Sequence, residues 1–475
     1  MSYPVHRDPT GRSGFFQRLA GKVREGRARR RLGAAVCLAL LLGTTAAQAL
    51  PANKGALLLL AARDAQGKLI GTGTGFVFDP EGRVLTNYHV LVDAARVEGV
   101  FPNGERVRVL GIHALDRVRD YSILQLEKGF YSTLELGDAT ALKEFDYTSA
   151  LGFPSQALQS ENGLLSGTLI QTYGFVLGIH PQAFPDFSFI YTSTPFDPGF
   201  SGGPLLDRNN KVVGLATLEG RAINLALPIN EVNPLSHKPG KLKTFAELLK
   251  EDKDAKEALY YKGNFALYAE GEPRRAVRLL QQVLERDPDF HPARYDLAVA
   301  YRGLGQEDRA IAEYQTLLAK HPRFPEALSN LGGQFFRKGK TEQAIEYFKK
   351  AIAVYPNFVQ ALSNLGAAYN KLGRHQEALP YLKKAAALDP EFAVVHFNLG
   401  NAYFGLGRFD EAEKAFSTAV RYGVDFLSLH WKLVEIHLKK GDRAGAIREL
   451  KLILEIDPLN KEASDRLIEL QTGKF

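Results

Sequence analysis

The chain of 475 residues holds a single cysteine, Cys37, and that cysteine sits inside an apolar run near the N-terminus. One cysteine forms no internal disulfide. If the N-terminal run is removed, neither a thiol nucleophile nor a cysteine-ligated zinc site remains. Metal-ligand spacings, a phosphate-binding glycine loop and a dinucleotide fingerprint are equally missing, so no metal and no cofactor is expected. Charge of one sign is also scarce once the N-terminus is set aside. Residues 1–31 carry nine Lys and Arg against Asp8 and Glu25, a net +7 that equals the net charge of the whole chain. The basic balance therefore belongs to the terminus and gives no reason to expect nucleic acid as a partner.

That terminus reads as an address. A basic stretch ends in Arg27-Ala28-Arg29-Arg30-Arg31, an apolar core runs from Leu32 to Leu42, and Ala47-Gln48-Ala49 is a small-x-small cleavage signal. Residues 1–49 are expected to be an export signal, placing the mature protein in a bacterial periplasm or outside the cell. The apolar core is short for a membrane span. Left uncleaved, it would hold the protein transiently at a membrane. The rest is long enough for two or three domains, and 45% apolar with 24% charged residues is ordinary globular composition.

From about Ala56 to His237 short apolar or alternating runs, such as Gly55–Ala62, Val84-Leu85-Thr86, Tyr121–Leu126 and Val212–Thr217, are separated by Gly, Pro, Asp and Asn turns. Many short strands without long helices imply a sandwich or barrel. Within this region Asp197-Pro198-Gly199-Phe200-Ser201-Gly202-Gly203-Pro204-Leu205 sets a serine among glycines, between two strand-like runs. A serine hydroxyl needs a base to take its proton and donors aimed at the oxyanion its attack creates. Glycine at 199 lets its own N–H and that of Ser201 point into one small space. Upstream, Thr86-Asn87-Tyr88-His89-Val90 puts a histidine just after a strand, with a helical turn expected over Val90–Ala95. Arg119-Asp120-Tyr121-Ser122-Ile123 puts an acid just before another strand. Each residue alone has an ordinary structural reading: a glycine turn, a surface histidine, a strand-capping aspartate. In the order His, Asp, Ser they supply base, orienting acid and nucleophile.

These segments, with Gly71-Thr72-Gly73-Thr74-Gly75-Phe76 and Ala226-Leu227-Pro228-Ile229-Asn230, closely resemble a chymotrypsin-fold serine protease of the bacterial HtrA/Deg type. The resemblance implies two packed six-stranded β-barrels with the site in the cleft between them. It implies His89 as general base, Asp120 as its orienting acid and Ser201 as nucleophile, with the backbone N–H groups of Gly199 and Ser201 forming the oxyanion hole. Two positions depart from the family pattern. Phe200 replaces the usual Asn or Asp, so its packing bears on whether the oxyanion loop is formed at rest, and Tyr88 is larger than usual. Six residues before the nucleophile, where trypsin-like enzymes that select Lys or Arg carry aspartate, stands Pro195. With Phe196 and Leu225 it implies an apolar pocket and cleavage after small or medium aliphatic residues. Discrimination is expected to be modest, because a methylene in such a pocket is worth only about 1–3 kcal/mol.

After Pro239-Gly240 the composition turns helical. Leu242–Leu249 reads as an amphipathic connecting helix. Beyond it Pro288, Pro322, Pro356, Pro390, Val424 and Pro458 recur every 34 residues, each preceded by an alanine twelve positions earlier (Ala276, Ala310, Ala344, Ala378, Ala412, Ala446). This pattern closely resembles the tetratricopeptide repeat (TPR), a helix–turn–helix unit that stacks into a solenoid. The expected architecture is multidomain: signal 1–49, an all-β double barrel over 50–240, a connecting helix over 241–256, and an all-α solenoid of six repeats with a capping helix over 257–475. Asn330, Asn364 and Asn398 recur at one phase. Stacked amides there can hydrogen-bond an extended peptide, although asparagine also simply caps or solubilises repeats. The resemblance gives protein or peptide substrates and protein partners of the repeat groove. HtrA-type proteases usually carry PDZ domains where these repeats stand. The leading expectation is an exported serine endopeptidase whose repeats recruit substrate or partner. A non-catalytic scaffold and a hydrolase of small esters are the alternatives.

Overall fold

The computed structural model describes residues 54–161, 164–181, 188–217, 224–238, 240–424 and 426–472. The N-terminal segment read as an export signal or membrane anchor lies outside them. Among the described residues no helix is long and apolar enough to cross a membrane. The chain divides into two compact units; Asn53–Ala412 form one, and Glu413–Phe475 fall in the other.

Among the described residues, the first unit begins with fourteen strands. β1 (Leu57–Arg63), β2 (Leu69–Val77), β3 (Arg83–Thr86), β4 (Arg96–Val100), β5 (Arg106–Asp116) and β6 (Tyr121–Leu126) close into a barrel of order β1-β2-β3-β6-β5-β4. A second barrel has the order β10-β11-β14-β13-β12-β7, built from β7 (Tyr147–Gly152), β10 (Ile170–Pro181), β11 (Ser188–Thr192), β12 (Pro204–Leu206), β13 (Val212–Thr217) and β14 (Asn224–Pro228). β8 (Leu158–Glu161) and β9 (Leu164–Gly167) form a separate hairpin. Closure leaves neither barrel with an open edge. The apolar runs seen in the sequence become its innermost strands: Leu57 to Ala62 and Val212 to Thr217 are buried throughout.

Strand register fixes where the chemistry can lie. β3 and β6 are antiparallel with Thr86 opposite Ser122, so the residues just past β3 and just before β6 emerge at the same end of the first barrel. Those residues include His89 and Asp120. In the second barrel Pro204 lies opposite Leu215, so the residues preceding β12 emerge beside the end of β13, and Ser201 lies there.

Past the barrels, Ile112 and Lys243 exchange two backbone hydrogen bonds of 2.9 and 2.8 Å, which ties the outgoing chain to β5. The helix expected over Leu242–Leu249 therefore starts later and runs Phe245–Asp252. Its first turn is set by a capping box. The Thr244 hydroxyl accepts from the Glu247 N–H, and the Glu247 carboxylate accepts from the Thr244 N–H.

Helix pairs follow at the spacing read from the sequence. Those of the first unit are Lys256–Tyr268 with Pro273–Arg286, His291–Gly303 with Glu307–Lys320, Pro325–Arg337 with Thr341–Val354, and Val359–Lys371 with His375–Leu388, then Ala393–Gly405. Phe409–Arg421 straddles the boundary between the units. In the second unit Leu427–Lys439 pairs with Arg443–Ile456, followed by Lys461–Thr472. Each pair turns on a glycine in the left-handed region (Gly271, Gly305, Gly339, Gly373, Gly407, Gly441; φ 68° to 75°), a conformation other residues adopt at a steric cost. All six repeat alanines are completely buried, because at the helix contact there is room for one methyl group. Val434, Ala446, Leu450, Ile453, Ala463 and Leu470 form the core of the second unit.

The packing at these alanines sets a test. Ala344→Leu is expected to destabilise the protein by about 1–3 kcal/mol, the cost of overfilling a packed contact. Urea unfolding of the two proteins measures it, and an unchanged midpoint would contradict the packing described.

Candidate active site

β3 delivers Asn87, Tyr88 and His89 to the rim of the first barrel. The helical turn begins at the histidine itself, a single 3₁₀ turn over His89–Leu91, shorter than expected because the backbone leaves the helical region at Val92 (ψ 129°), with Asp93 left-handed just beyond it. Asp120, just before β6, is also left-handed, with φ 57°, a region that aspartate tolerates better than most residues. That backbone turns its carboxylate back toward β3. There His89 is held twice: its backbone N–H donates to Asp120 Oδ1 at 2.9 Å, and its Nδ1 lies 2.7 Å from Asp120 Oδ2. The carboxylate can only accept, so Nδ1 carries the proton and Nε2 is left as the acceptor. Asn87 Nδ2 donates to the Asp120 carbonyl at 2.7 Å. Thr217 Oγ1, from the second barrel, donates to Asp120 Oδ2 at 3.3 Å. The Asp120 side chain is 5% exposed and that of His89 26%, so the carboxylate is sheltered from water and the imidazole keeps an open side. Beneath it Tyr88 is fully buried. Burial, reinforced by the charge of Asp252, pushes its phenol far above the usual range, so it stays neutral beside the histidine.

Ser201 comes from the second barrel, on the loop between β11 and β12, and is almost fully buried. Its loop is stitched to the first barrel through Thr74 of β2. Thr74 N–H donates to the Ser201 carbonyl at 2.8 Å, and Thr74 Oγ1 donates to the Gly199 carbonyl at 2.7 Å. The same hydroxyl accepts from the Phe153 N–H at 3.1 Å, and the Thr74 carbonyl accepts from Thr86 Oγ1 at 2.8 Å. Gly202 must be glycine. Its φ is 82°, and a β-carbon there would lie 2.2 Å from Thr86 Oγ1 and 2.8 Å from Asn87 N. The serine loop thus presses against the residues that lead to His89. Among the described residues the backbone N–H groups of Gly199 and Ser201 make no backbone–backbone hydrogen bond. Gly199, at φ 103°, has its carbonyl turned toward Thr74.

The bulk of Phe200 goes inward. Its ring is fully buried in the second-barrel core with Ala150, Val176, Ile190, Phe196, Leu205 and Val213. Space for it exists because residue 152 is glycine; a β-carbon there would be 2.6 Å from the ring. The departure from the family pattern thus becomes an apolar anchor under the serine loop.

Of the pocket residues, Leu225 is buried on β14, paired with Thr217 and Tyr191. Phe196 is committed to the barrel core beside Phe200. Pro195 is exposed, and its carbonyl accepts from Thr172 Oγ1 at 2.7 Å. Residues 218–223, which precede β14, lie outside the described residues. In the repeats, Asn330 Nδ2 donates to the Tyr295 hydroxyl at 2.9 Å and Asn398 Nδ2 to Ser363 Oγ at 3.2 Å. Both partners stand 35 residues earlier, in the preceding repeat, so these amides join neighbouring units. Asn364, at the same phase, is half-buried. Among the described residues no group of three or more His, Asp or Glu is placed to hold a metal. Sequence reasoning did not find Thr217, nor Tyr261, whose ring lies 5.7 Å from that of His89. Thr74 was visible only as part of a glycine-rich motif.

Residues 73–215 match the model of the trypsin-like peptidase domain. Residues 267–331, 323–391 and 370–435 match tetratricopeptide repeat models. Among curated proteins the chain is 31% identical over 173 residues to "Serine protease HTRA2, mitochondrial" of Bos taurus, covering 36% of each chain. It is 31% identical over 166 residues to "Putative serine protease HhoB" of Synechocystis sp. (34% of this chain, 38% of that one). It is 30% identical over 152 residues to "Probable periplasmic serine endoprotease DegP-like" of Chlamydia trachomatis (30% and 28%). The chain therefore spans less than two fifths of the length of these relatives. Among solved structures, "HtrA-type protease AlgW with tripeptide" aligns with a TM-score of 0.34 at 20% identity, over 38% of this chain and 59% of that one. The chain thus carries a trypsin-like peptidase domain related to HtrA/DegP-type serine proteases, followed by tetratricopeptide repeats.

Thr74→Val keeps the shape of residue 74 and removes both hydroxyl bonds. It should cost about 1–3 kcal/mol through the stranded Phe153 N–H and Gly199 carbonyl. If Ser201 is the nucleophile, its phosphonylation should slow about tenfold or more as the oxyanion loop loosens. Chemical denaturation and labelling rates measure the two effects; wild-type values for both would contradict the linkage.

Proposed function

We propose that the chain is an exported serine endopeptidase whose helical repeats bring protein substrates or partner proteins to it. The observation that carries this reading is the His89–Asp120 pair, joined by two hydrogen bonds with its carboxylate sheltered from water, at the barrel end pressed by the Ser201 loop. In the proposed reaction His89 Nε2 takes the proton from Ser201 Oγ as that oxygen bonds to the carbonyl carbon of the scissile peptide. Asp120 holds the tautomer and stabilises the imidazolium that forms. The carbonyl oxygen, now negative, accepts from the N–H groups of Gly199 and Ser201. Collapse breaks the C–N bond, with the proton passing from His89 to the leaving amine. Water then enters and gives a proton to His89 as its oxygen bonds to the acyl carbon; the ester C–O bond breaks and Ser201 Oγ takes the proton back from His89.

The curated relatives are named as serine proteases or endoproteases, which supports this reaction class. The word periplasmic in one name agrees with an export signal over residues 1–49. For the whole chain we assign 50–240 to the protease, 241–256 to the connection and 257–475 to six repeats with a cap. Specificity is assigned to an apolar pocket near Leu225, with Phe196 acting from the core beneath it. For the repeats, the half-buried Asn364 is the member of its set to probe first in a peptide-binding role.

The test is covalent labelling of the mature protein with a fluorophosphonate, alone and with an unfolded protein present, against Ser201→Ala. Labelling of wild type and none of Ser201→Ala is expected. No labelling of folded wild type in either condition would overturn the enzyme reading in favour of a scaffold.

A further inference from the structure

The first helix of the repeat region reaches the proposed catalytic base. In Lys256–Tyr268, Tyr261 is 8% exposed, and its ring lies 5.7 Å from the His89 imidazole at an interplanar angle of 31°. The same ring meets Tyr88 edge-on, also at 5.7 Å. Its hydroxyl donates to the Arg117 carbonyl at 3.3 Å, three residues before Asp120. The next residue, Lys262, pairs with Asp93 at 2.8 Å, at the end of the turn that begins with His89. The Arg117 guanidinium also lies over the Tyr88 ring, 5.4 Å from its centroid. Arg117 donates to Asp252 at 2.8 and 3.0 Å and to Glu251 at 3.0 Å, the last turn of the connecting helix. The segments bearing His89 and Asp120 are therefore both fastened to helices that lie outside the barrels in sequence.

A histidine held only along the edge that meets its carboxylate can still tilt about that contact, and small displacements of Nε2 are costly for proton transfer. A ring packed beside the imidazole, as that of Tyr261 is, limits that freedom. We propose that Tyr261 is a positioning residue for His89, so that the first repeat helix is a structural part of the active site. This rests on the serine-protease reading above. It implies that a protease domain cut free of the repeats has a poorly aligned base. It also means that a partner displacing the first repeat would change turnover.

The experiment uses the full mature chain with Tyr261→Phe, Tyr261→Leu and Tyr261→Ala. It reads kcat and KM on a peptide substrate, the rate of fluorophosphonate labelling and the thermal midpoint. Phe keeps the ring and should hold kcat within about twofold of wild type. Leu and Ala should lower kcat and the labelling rate together by about tenfold, with KM within about twofold, because Tyr261 touches the base. Leu fills the apolar contact without an aromatic face, so it carries the test if Ala fails to fold. Wild-type kcat and labelling in the folded Leu variant would overturn the proposal. A raised KM with unchanged kcat would do the same, by making Tyr261 a substrate contact. Wild type that neither turns over nor labels would instead strike the protease reading itself, and the proposal with it.

Discussion

A serine on one barrel and a histidine on another can work together only if the barrels keep a fixed register, and Thr74 is where that register is set. Through its N–H, hydroxyl and carbonyl it bonds Ser201, Gly199, Phe153 and Thr86. All of these sit in or beside the elements that carry the proposed nucleophile, its oxyanion donors and its base. Glycine at 202 allows the closest approach, since any side chain there would strike Thr86 and the Asn87 backbone. Thr217 adds a further bond between the barrels, from β13 to Asp120. The Phe200 ring, sunk into the second core, fixes the loop from below. Each is a short-range contact in a dry place, where a polar group that loses its partner is expensive.

The helices extend the same constraint. The connecting helix holds Arg117 and the first repeat helix packs beside His89, both at the first barrel. Farther along, the turn after the Thr341–Val354 helix meets the second barrel. Asn357 Nδ2 donates to the Leu177 carbonyl at 3.2 Å, and the Tyr355 ring lies 4.7 Å from that of Tyr191. Asn357 and both tyrosines are buried. The helical region therefore touches both barrels, so the proposed recruitment and catalysis are not properties of separate parts.

Much of this was legible in the sequence, for reasons that differ between its parts. The barrels and helix pairs announce themselves through short strands with turn residues and a spacing of 34, since burial imposes those periods directly. The His, Asp and Ser segments are legible because their chemistry needs particular residue types at strand ends. The direction taken by Phe200 was not, because it depends on a glycine 48 positions earlier. Tyr261 was not either, as nothing in a helix rich in aromatics marks the ring that leaves the helical core for the histidine. The asparagine phase was visible, but not that Tyr295 and Ser363 consume two of the amides, since that depends on how one repeat seats on the next. Pocket residues were harder still: Phe196 turns into the core, and residues 218–223 lie outside the described chain.

The most direct measurement is a crystal structure of the full mature chain inactivated by a peptidyl phosphonate. The account predicts a covalent bond from Ser201 Oγ to phosphorus. It also predicts a phosphoryl oxygen about 2.7–3.1 Å from the N–H groups of both Gly199 and Ser201, and His89 still bonded to Asp120 beneath Tyr261. An adduct on Ser201 whose oxygen points away from those donors, or a His89 ring swung away from Tyr261, would contradict it.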